Sequence, residues 1–134
     1  MQDRPTAIEL LDAVREFLEH DVLPTLEGRT RFHGLVAANV LAIVARELAG
    51  EETALVAEWR RLRDLLGVDE TRPPGRLDGL RAAVRALTER LVERIRAGDA
   101  DQGSFADAVR AHLRMTVVEK LGIANPRFLL DGRT

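Results

Sequence analysis

Apolar residues recur at spacings of three and four along most of the chain, which is the period of an α-helix with one buried face. The first apolar stripe begins just after Thr6. Thr6 and Glu9, three residues further on, have the spacing of a capping box at a helix start. Gly and Pro residues interrupt the stripes and predict five helices, at about 6–23, 30–49, 51–66, 77–97 and 104–121. No segment alternates as a strand does. The predicted fold class is therefore all-α, a single-domain helical bundle.

The second predicted helix is apolar almost all round its circumference. It contains the runs 35–38 and 40–45, and Arg46 and Glu47 then close the apolar stretch. That stretch is shorter than the roughly 20 residues needed to span a bilayer. A helix of this kind is typical of the buried centre of a bundle, so we expect a core helix and no membrane association.

Glycine and proline positions predict where the helices stop. Gly50 is suited to the position after a helix end, so it is expected to separate the second helix from the third. The segment 68–75 contains Pro73 and Pro74 and is predicted to be a flexible turn inside one domain that spans 1–134. Residues 123–134 are interpreted as a C-terminal tail.

Composition narrows the classes of function. The chain has 134 residues, 46% of them hydrophobic, which is enough for one folded domain with its own core. Its net charge of -2 gives no general attraction to phosphate backbones, so nucleic acid is not an expected partner. There is no Cys and no apolar signal core near the start, and a cytoplasmic location is the expectation.

The residue types needed for catalysis are scarce. The chain lacks Cys and Tyr, and its one serine, Ser104, is accounted for as a helix cap. The three histidines fall on three different predicted helices without metal-ligand spacing, so no metal is expected. No glycine-rich phosphate loop follows a strand, and no cofactor is expected. An enzyme is the less favoured interpretation.

Several polar residues in apolar surroundings are candidates for ligand or partner contacts. Asn39 and Arg46 lie seven apart and share a helix face, where either they satisfy a loop carbonyl and a carboxylate or they contribute to a site. Arg29, Arg31 and His33, at the start of the second helix, are interpreted as an anion site or as solvated surface.

The fifth predicted helix carries a polar seam. His112 and Glu119 lie on one face of it with Thr116 between them. This seam predicts a partly exposed histidine in a bundle groove or an oligomer contact. The third alternative is an acid and base pair in an enzyme acting alone.

The tail is the remaining candidate, as a docking segment formed by Asn125, Pro126, Arg127, Phe128 and Leu129. Large apolar side chains need a surface to bury against. We expect Phe128, Leu129 and Leu130 to pack on the chain's own bundle, and the alternative is a second subunit or another protein.

A family resemblance rests on short motifs spread over nearly the whole chain. They are Arg4-Pro5, Glu9-Leu10-Leu11, Phe17-Leu18, Leu23-Pro24, Phe32-His33, Val36 to Asn39, Arg46-Glu47-Leu48 and Asn125 to Leu129. With these the chain resembles a family of small bacterial helical proteins encoded beside aminoglycoside-phosphotransferase-like kinases and acyl-CoA dehydrogenases. One protein that the chain resembles in this way is the small companion of the hydroxyacyl-CoA kinase of levulinic acid catabolism.

The resemblance implies a non-catalytic accessory subunit of such a kinase, in the breakdown of short-chain acids. It does not imply catalysis by this chain. The alternative is a helical module that binds a small molecule or an acyl-CoA without a partner enzyme. A homo-oligomer is a further partner left open.

Overall fold

The structure is a computed structural model that describes residues 4–131, all of whose regular elements are helical. The α-helices are α1 (Ala7–Phe17), α2 (Gly28–Leu66), α3 (Leu77–Arg96), α4 (Gly103–Ala124) and α5 (Pro126–Asp131). A π-helical turn, Leu18–Val22, and a 3₁₀ turn, Leu23–Thr25, continue α1. Within residues 4–131 there is no strand, and the all-α prediction is confirmed.

Helix α1 begins at the capping box that the sequence predicts. The Thr6 hydroxyl accepts a hydrogen bond from the Glu9 amide at 3.2 Å, and the Glu9 carboxylate accepts one from the Thr6 amide at 2.6 Å. Each side chain thereby satisfies an amide that has no partner inside the helix.

Helix α2 is longer than predicted because Gly50 does not end it. A glycine at a helix end usually adopts a positive φ, and the glycines that do so here are Gly28, Gly67, Gly98 and Gly103. Gly50 is absent from that set, and α2 continues through it, so the second and third predicted helices are one. The predicted stop at Gly122 is also wrong, since α4 runs on to Ala124.

The chain forms two compact units, Met1–Gly50 and Glu51–Thr134. The first contains α1 and the start of α2, and the second contains the rest of α2 with α3, α4 and α5.

The first unit is a helical hairpin held by small residues. Ala38 and Ala45 on α2 are buried, as is Leu23 in the turn that joins the helices. At Gly34 the backbone comes so close to this turn that an added Cβ would lie 2.7 Å from Leu23 Cδ2. The small residues Gly34, Ala38 and Ala45 on this face of α2 allow a close approach to the rest of the hairpin.

The opposite side of α2 in this unit is exposed, so the expectation of a buried second helix is wrong. Six large apolar side chains between Phe32 and Leu48 are 37–62% accessible to solvent. They are Phe32, Leu35, Val36, Val40, Val44 and Leu48. The apolar pattern predicts how much of the helix surface is apolar, but it does not predict which helices bury that surface. Within the hairpin, α1 packs against one side of α2.

Among the described residues, α2 is also the one helix that is long and apolar enough to cross a membrane by length and composition. Only 11% of its most apolar window is buried. The uncharged stretch 32–45 would extend about 21 Å, less than the roughly 30 Å of a hydrocarbon core.

The second unit has a conventional core at the crossing of three helices. Its buried cluster consists of Trp59 and Leu62 from α2, Leu80, Val84, Leu87 and Leu91 from α3, and Val109 from α4. The four core residues of α3 recur at spacings of three and four, so the helical period of the apolar residues is confirmed in the central turns of α3. The residues between Gly67 and Arg76 form a nonhelical connection. It contains Pro73 and Pro74, where the sequence predicts a turn.

Replacing two helical glycines should separate helix propensity from close packing. Gly50→Ala adds a Cβ with no atom within 4 Å and should raise the free energy of unfolding by about 1 kcal/mol. Gly34→Ala gains the same propensity but pushes against buried Leu23, and overpacking costs about 1–3 kcal/mol. Urea unfolding followed by circular dichroism measures both. Equal stabilisation by the two changes would contradict the close approach at Gly34.

Two leucines on one face of α2 should respond very differently to truncation. Leu62 is 0% exposed and Leu48 is 47% exposed. Leu62→Ala should lower the free energy of unfolding by about 2–5 kcal/mol because it leaves a cavity in the core. Leu48→Ala should cost less than about 1 kcal/mol when unfolding is measured at low protein concentration. A similar loss at both positions would show that the Leu48 surface is covered.

Candidate functional site

A polar cluster lies where the end of α2 meets α4 in the second unit. Arg61 donates two hydrogen bonds to the Glu119 carboxylate, from Nη1 to Oε1 at 2.8 Å and from Nη2 to Oε2 at 2.6 Å. Both side chains are about three-quarters buried. A paired, bidentate geometry of this kind holds both planar groups in a fixed orientation.

His112 and Thr116 extend this cluster along α4 toward the core. His112 is only 8% exposed. Four buried side-chain atoms of this region make no hydrogen bond within the protein: Trp59 Nε1, Arg61 Nε, His112 Nδ1 and Thr116 Oγ1. Each such atom gives up hydration without a protein partner, which costs roughly 1–3 kcal/mol. The cluster is therefore polar, buried and incompletely satisfied by the chain.

Burial lowers the pKa of His112 below 6.5, and the positive charge of Arg61 lowers it further. The carboxylates of Glu58 and Glu119 act in the opposite direction and are outweighed. The histidine is thus held in its neutral form near neutral pH. It is surrounded by charges of both signs, from α2 and from its own helix.

The cluster has limited means for acid and base chemistry. The Glu119 carboxylate is occupied by two hydrogen bonds from Arg61, so it is not a free base beside His112. The one serine, Ser104, is exposed in the first turn of α4. Its interpretation as a helix cap is wrong, because the residue before the helix is Gln102 and no side chain caps this helix start. In residues 4–131, no group of three or more His, Asp or Glu side chains could hold a metal ion. The geometry fits an interhelical ion pair next to a neutral histidine.

Arg61 is the member of the cluster that sequence reasoning missed. It belongs to a group of three arginines, Arg60, Arg61 and Arg63, near the end of α2, and it reaches across to α4. Arg63 also turns back, with its guanidinium carbon 5.3 Å from the centre of the Trp59 ring. The only sequence signal was the carboxylate on the predicted polar seam, which needed a cation from elsewhere in the chain.

The candidates on α2 in the first unit are not gathered into one buried site. Arg29, Arg31 and His33 are all exposed, and Arg29 Nε donates to His33 Nε2 at 3.2 Å. Asn39 is exposed too, so its interpretation as a polar residue in apolar surroundings is wrong for this chain. Arg46 is half-buried and lines a surface groove that also involves residues of α1.

That groove runs between the two helices of the hairpin. Its polar side chains are Asp12 and Arg15 from α1 and Arg46 from α2, and its floor is formed mainly by alanines of α2. Arg15 already pairs with Asp12 and with Glu19. The groove is consistent with a solvated edge of the hairpin.

The tail forms a short helix, α5, that contacts the end of α4. Leu129 lies against Gly122, where an added Cβ would be 3.9 Å from Leu129 Cδ1, and Asn125 caps the end of α4. Phe128 and Leu130 are 59% and 73% exposed. The expectation that these three side chains bury against the bundle is therefore wrong for Phe128 and Leu130. Pro126 begins α5, and Arg127 is exposed beside it.

The lowered pKa of His112 predicts a stability that depends on pH. Because the folded protein holds this histidine at a lower pKa than the unfolded chain, the unfolded chain takes up more protons as the pH falls below 6.5. The stability that the fold has while His112 is neutral is fully present above pH 6.5. It is lost as the pH falls through the pKa of His112 in the folded protein. We expect the free energy of unfolding to fall more steeply from pH 7.5 to 5 in the wild type than in His112→Gln, by urea titration. Parallel profiles would contradict the prediction.

Comparison with known proteins gives one family. The family described as Domain of unknown function (DUF6285) matches residues 24–128, which excludes α1 and the end of the tail. Neither the curated proteins nor the solved structures include a match to the chain. The matched region contains α2, α3, α4 and the polar cluster between α2 and α4. Because that region is well over half of the 134 residues, the chain belongs to the Domain of unknown function (DUF6285) family.

Proposed function

We propose that the chain is a non-catalytic interaction subunit. Its partner in this proposal is an aminoglycoside-phosphotransferase-like kinase that acts on a hydroxyacyl-CoA. The single observation that carries the proposal is the way α5 is held: Leu129 packs on α4, and its neighbours Phe128 and Leu130 point large apolar surfaces into solvent.

Exposed apolar side chains on a short terminal helix are costly unless something covers them. Covering a large side chain completely contributes about 1.5–3 kcal/mol, and uncovered clusters invite aggregation. A short amphipathic helix laid into an apolar groove is a common mode of recognition between proteins. Phe128 and Leu130 have the character of anchors in such a contact.

Helix α4 offers more surface of the same kind in the same unit. Leu113, Met115, Val117 and Val118 are all exposed on it. Met is suited to adaptable contacts because its side chain is flexible and polarizable. Arg110 and Arg114 lie on the same helix and could form the polar rim that interfaces usually have.

The kinase enters the proposal through the resemblance described above, which places the family beside such kinases. The scarcity of catalytic groups in the chain is compatible with a role in which the partner performs the chemistry. The ion pair of Glu119 with Arg61 supports the same view. It occupies the carboxylate that would otherwise act with His112 as an acid and base pair.

Co-purification with the neighbouring kinase tests the proposal. The double variant Phe128→Ala/Leu130→Ala should weaken binding about 10- to 100-fold, because two apolar anchors are lost. Isothermal titration with the purified kinase measures this. The melting temperature of the isolated subunit should stay unchanged, since neither side chain is buried in it.

A matched control lies on α3 in the same unit. Leu77 and Ile95 are large apolar residues that are 36% and 37% exposed, so Leu77→Ala/Ile95→Ala also removes exposed apolar surface, in a smaller amount and on a different helix. Binding should be retained in this variant. The proposal fails if the wild-type subunit does not bind the kinase and leaves its activity unchanged, or if both double variants bind equally well.

A further inference from the structure

The exposed face of α2 in the first unit has a charge and side-chain pattern that is complementary to itself. Arg29 and Glu47 are both exposed and lie about five helical turns apart, so they fall on one line along the helix. Val36 and Val40 lie between them, each within about 20° of that line. The line is thus basic at one end, apolar in the middle and acidic at the other end.

We propose that this face binds the same face of a second copy of the chain, with the two α2 helices antiparallel. A two-fold axis level with residue 38 sets Arg29 opposite Glu47 of the partner subunit, and Val36 opposite the partner subunit's Val40. The same axis sets Glu47 opposite the partner subunit's Arg29, so one surface supplies both ion pairs. An isologous contact of this kind is the commonest arrangement in homodimers.

The exposed apolar side chains of α2 supply a substantial part of the surface that a dimer contact needs. A fully covered large side chain corresponds to about 60–120 Å², so the six on α2 that are about half exposed supply on the order of 180–360 Å² per copy. A standard interface covers about 800 Å² per partner, of which about 450–520 Å² is apolar, so α2 alone supplies roughly half of that apolar area.

The central valines also favour a rigid contact. A valine in a helix has one strongly preferred rotamer, so little side-chain entropy is lost when it is covered. The charges at the two ends fix direction and register, because a parallel pairing would set Arg29 against its own copy. This inference does not depend on the proposed function, since α5 and α4 take no part in it.

Charge reversal and rescue test the proposed register. The purified chain should have twice its 14.9 kDa mass in solution by light scattering. Glu47→Arg should weaken the dimer about 10- to 100-fold, because symmetry replaces two attractive pairs by two repulsive ones. Arg29→Glu/Glu47→Arg should restore the wild-type dissociation constant, measured by sedimentation.

A matched pair of valine substitutions tests the apolar centre. Val40→Glu should abolish the dimer and leave the circular dichroism of the monomer unchanged, because Val40 is exposed within the chain. The control Val92→Glu changes an exposed valine on α3 and should leave the dimer intact. The chain has no Cys, so mixing Val36→Cys with Val40→Cys should give oxidative cross-links between the two variants in preference to links within either one.

Several outcomes would overturn the proposal. They are a monomer at every concentration tested, a dimer indifferent to Val40→Glu, and a double charge reversal that does not rescue Glu47→Arg. Partition of the wild-type chain into neutral phosphatidylcholine vesicles, abolished by Val40→Glu, would assign the face to lipid. If Phe128→Ala/Leu130→Ala loses kinase binding and remains dimeric, the dimer contact of α2 is independent of the kinase contact of α5.

Discussion

The continuity of α2 through Gly50 is the constraint on which the rest of the structure depends. One helix supplies Ala38 and Ala45 to the hairpin of the first unit and Trp59 and Leu62 to the core of the second. A glycine inside a helix costs about 1 kcal/mol relative to alanine, and ending the helix there would break the hydrogen-bond ladder and require new caps on both sides. Continuing the helix through Gly50 therefore costs less free energy than ending it there. As a result, α2 contributes buried residues to both units.

The fold class and the start of α1 could be predicted from sequence because they are set by local chemistry. The capping box of Thr6 and Glu9 and the stripe that buries Leu80 and Leu91 depend only on residues a few positions apart. The role of Gly50 could not be predicted, because a glycine can either end a helix with a positive φ or continue it with a negative φ. The adjacent residues do not determine which φ it adopts. Gly67, at a φ of 63°, adopts the left-handed conformation and does end α2.

The extent of burial was less predictable than the pattern of apolar residues. A run such as 35–45 shows that α2 needs cover on several sides, but it does not show whether the cover comes from the same chain. Likewise the polar seam of His112 and Glu119 was visible, whereas its partner Arg61 is 58 positions away on another helix. Long-range partners of this kind depend on how helices cross, which spacing along the sequence does not encode.

The two proposed contacts use different units, and that separation has a functional consequence. A dimer formed through the first unit would carry two α5 helices, each with its own exposed Phe128 and Leu130. Binding of one α5 to a dimeric partner raises the effective concentration of the second, so weak single contacts can add up to a stable complex. If both proposals hold, loss of the α2 contact should weaken association with a dimeric kinase even though no α5 side chain has changed. The strength of each contact could then be adjusted independently of the other, since no residue is shared between them.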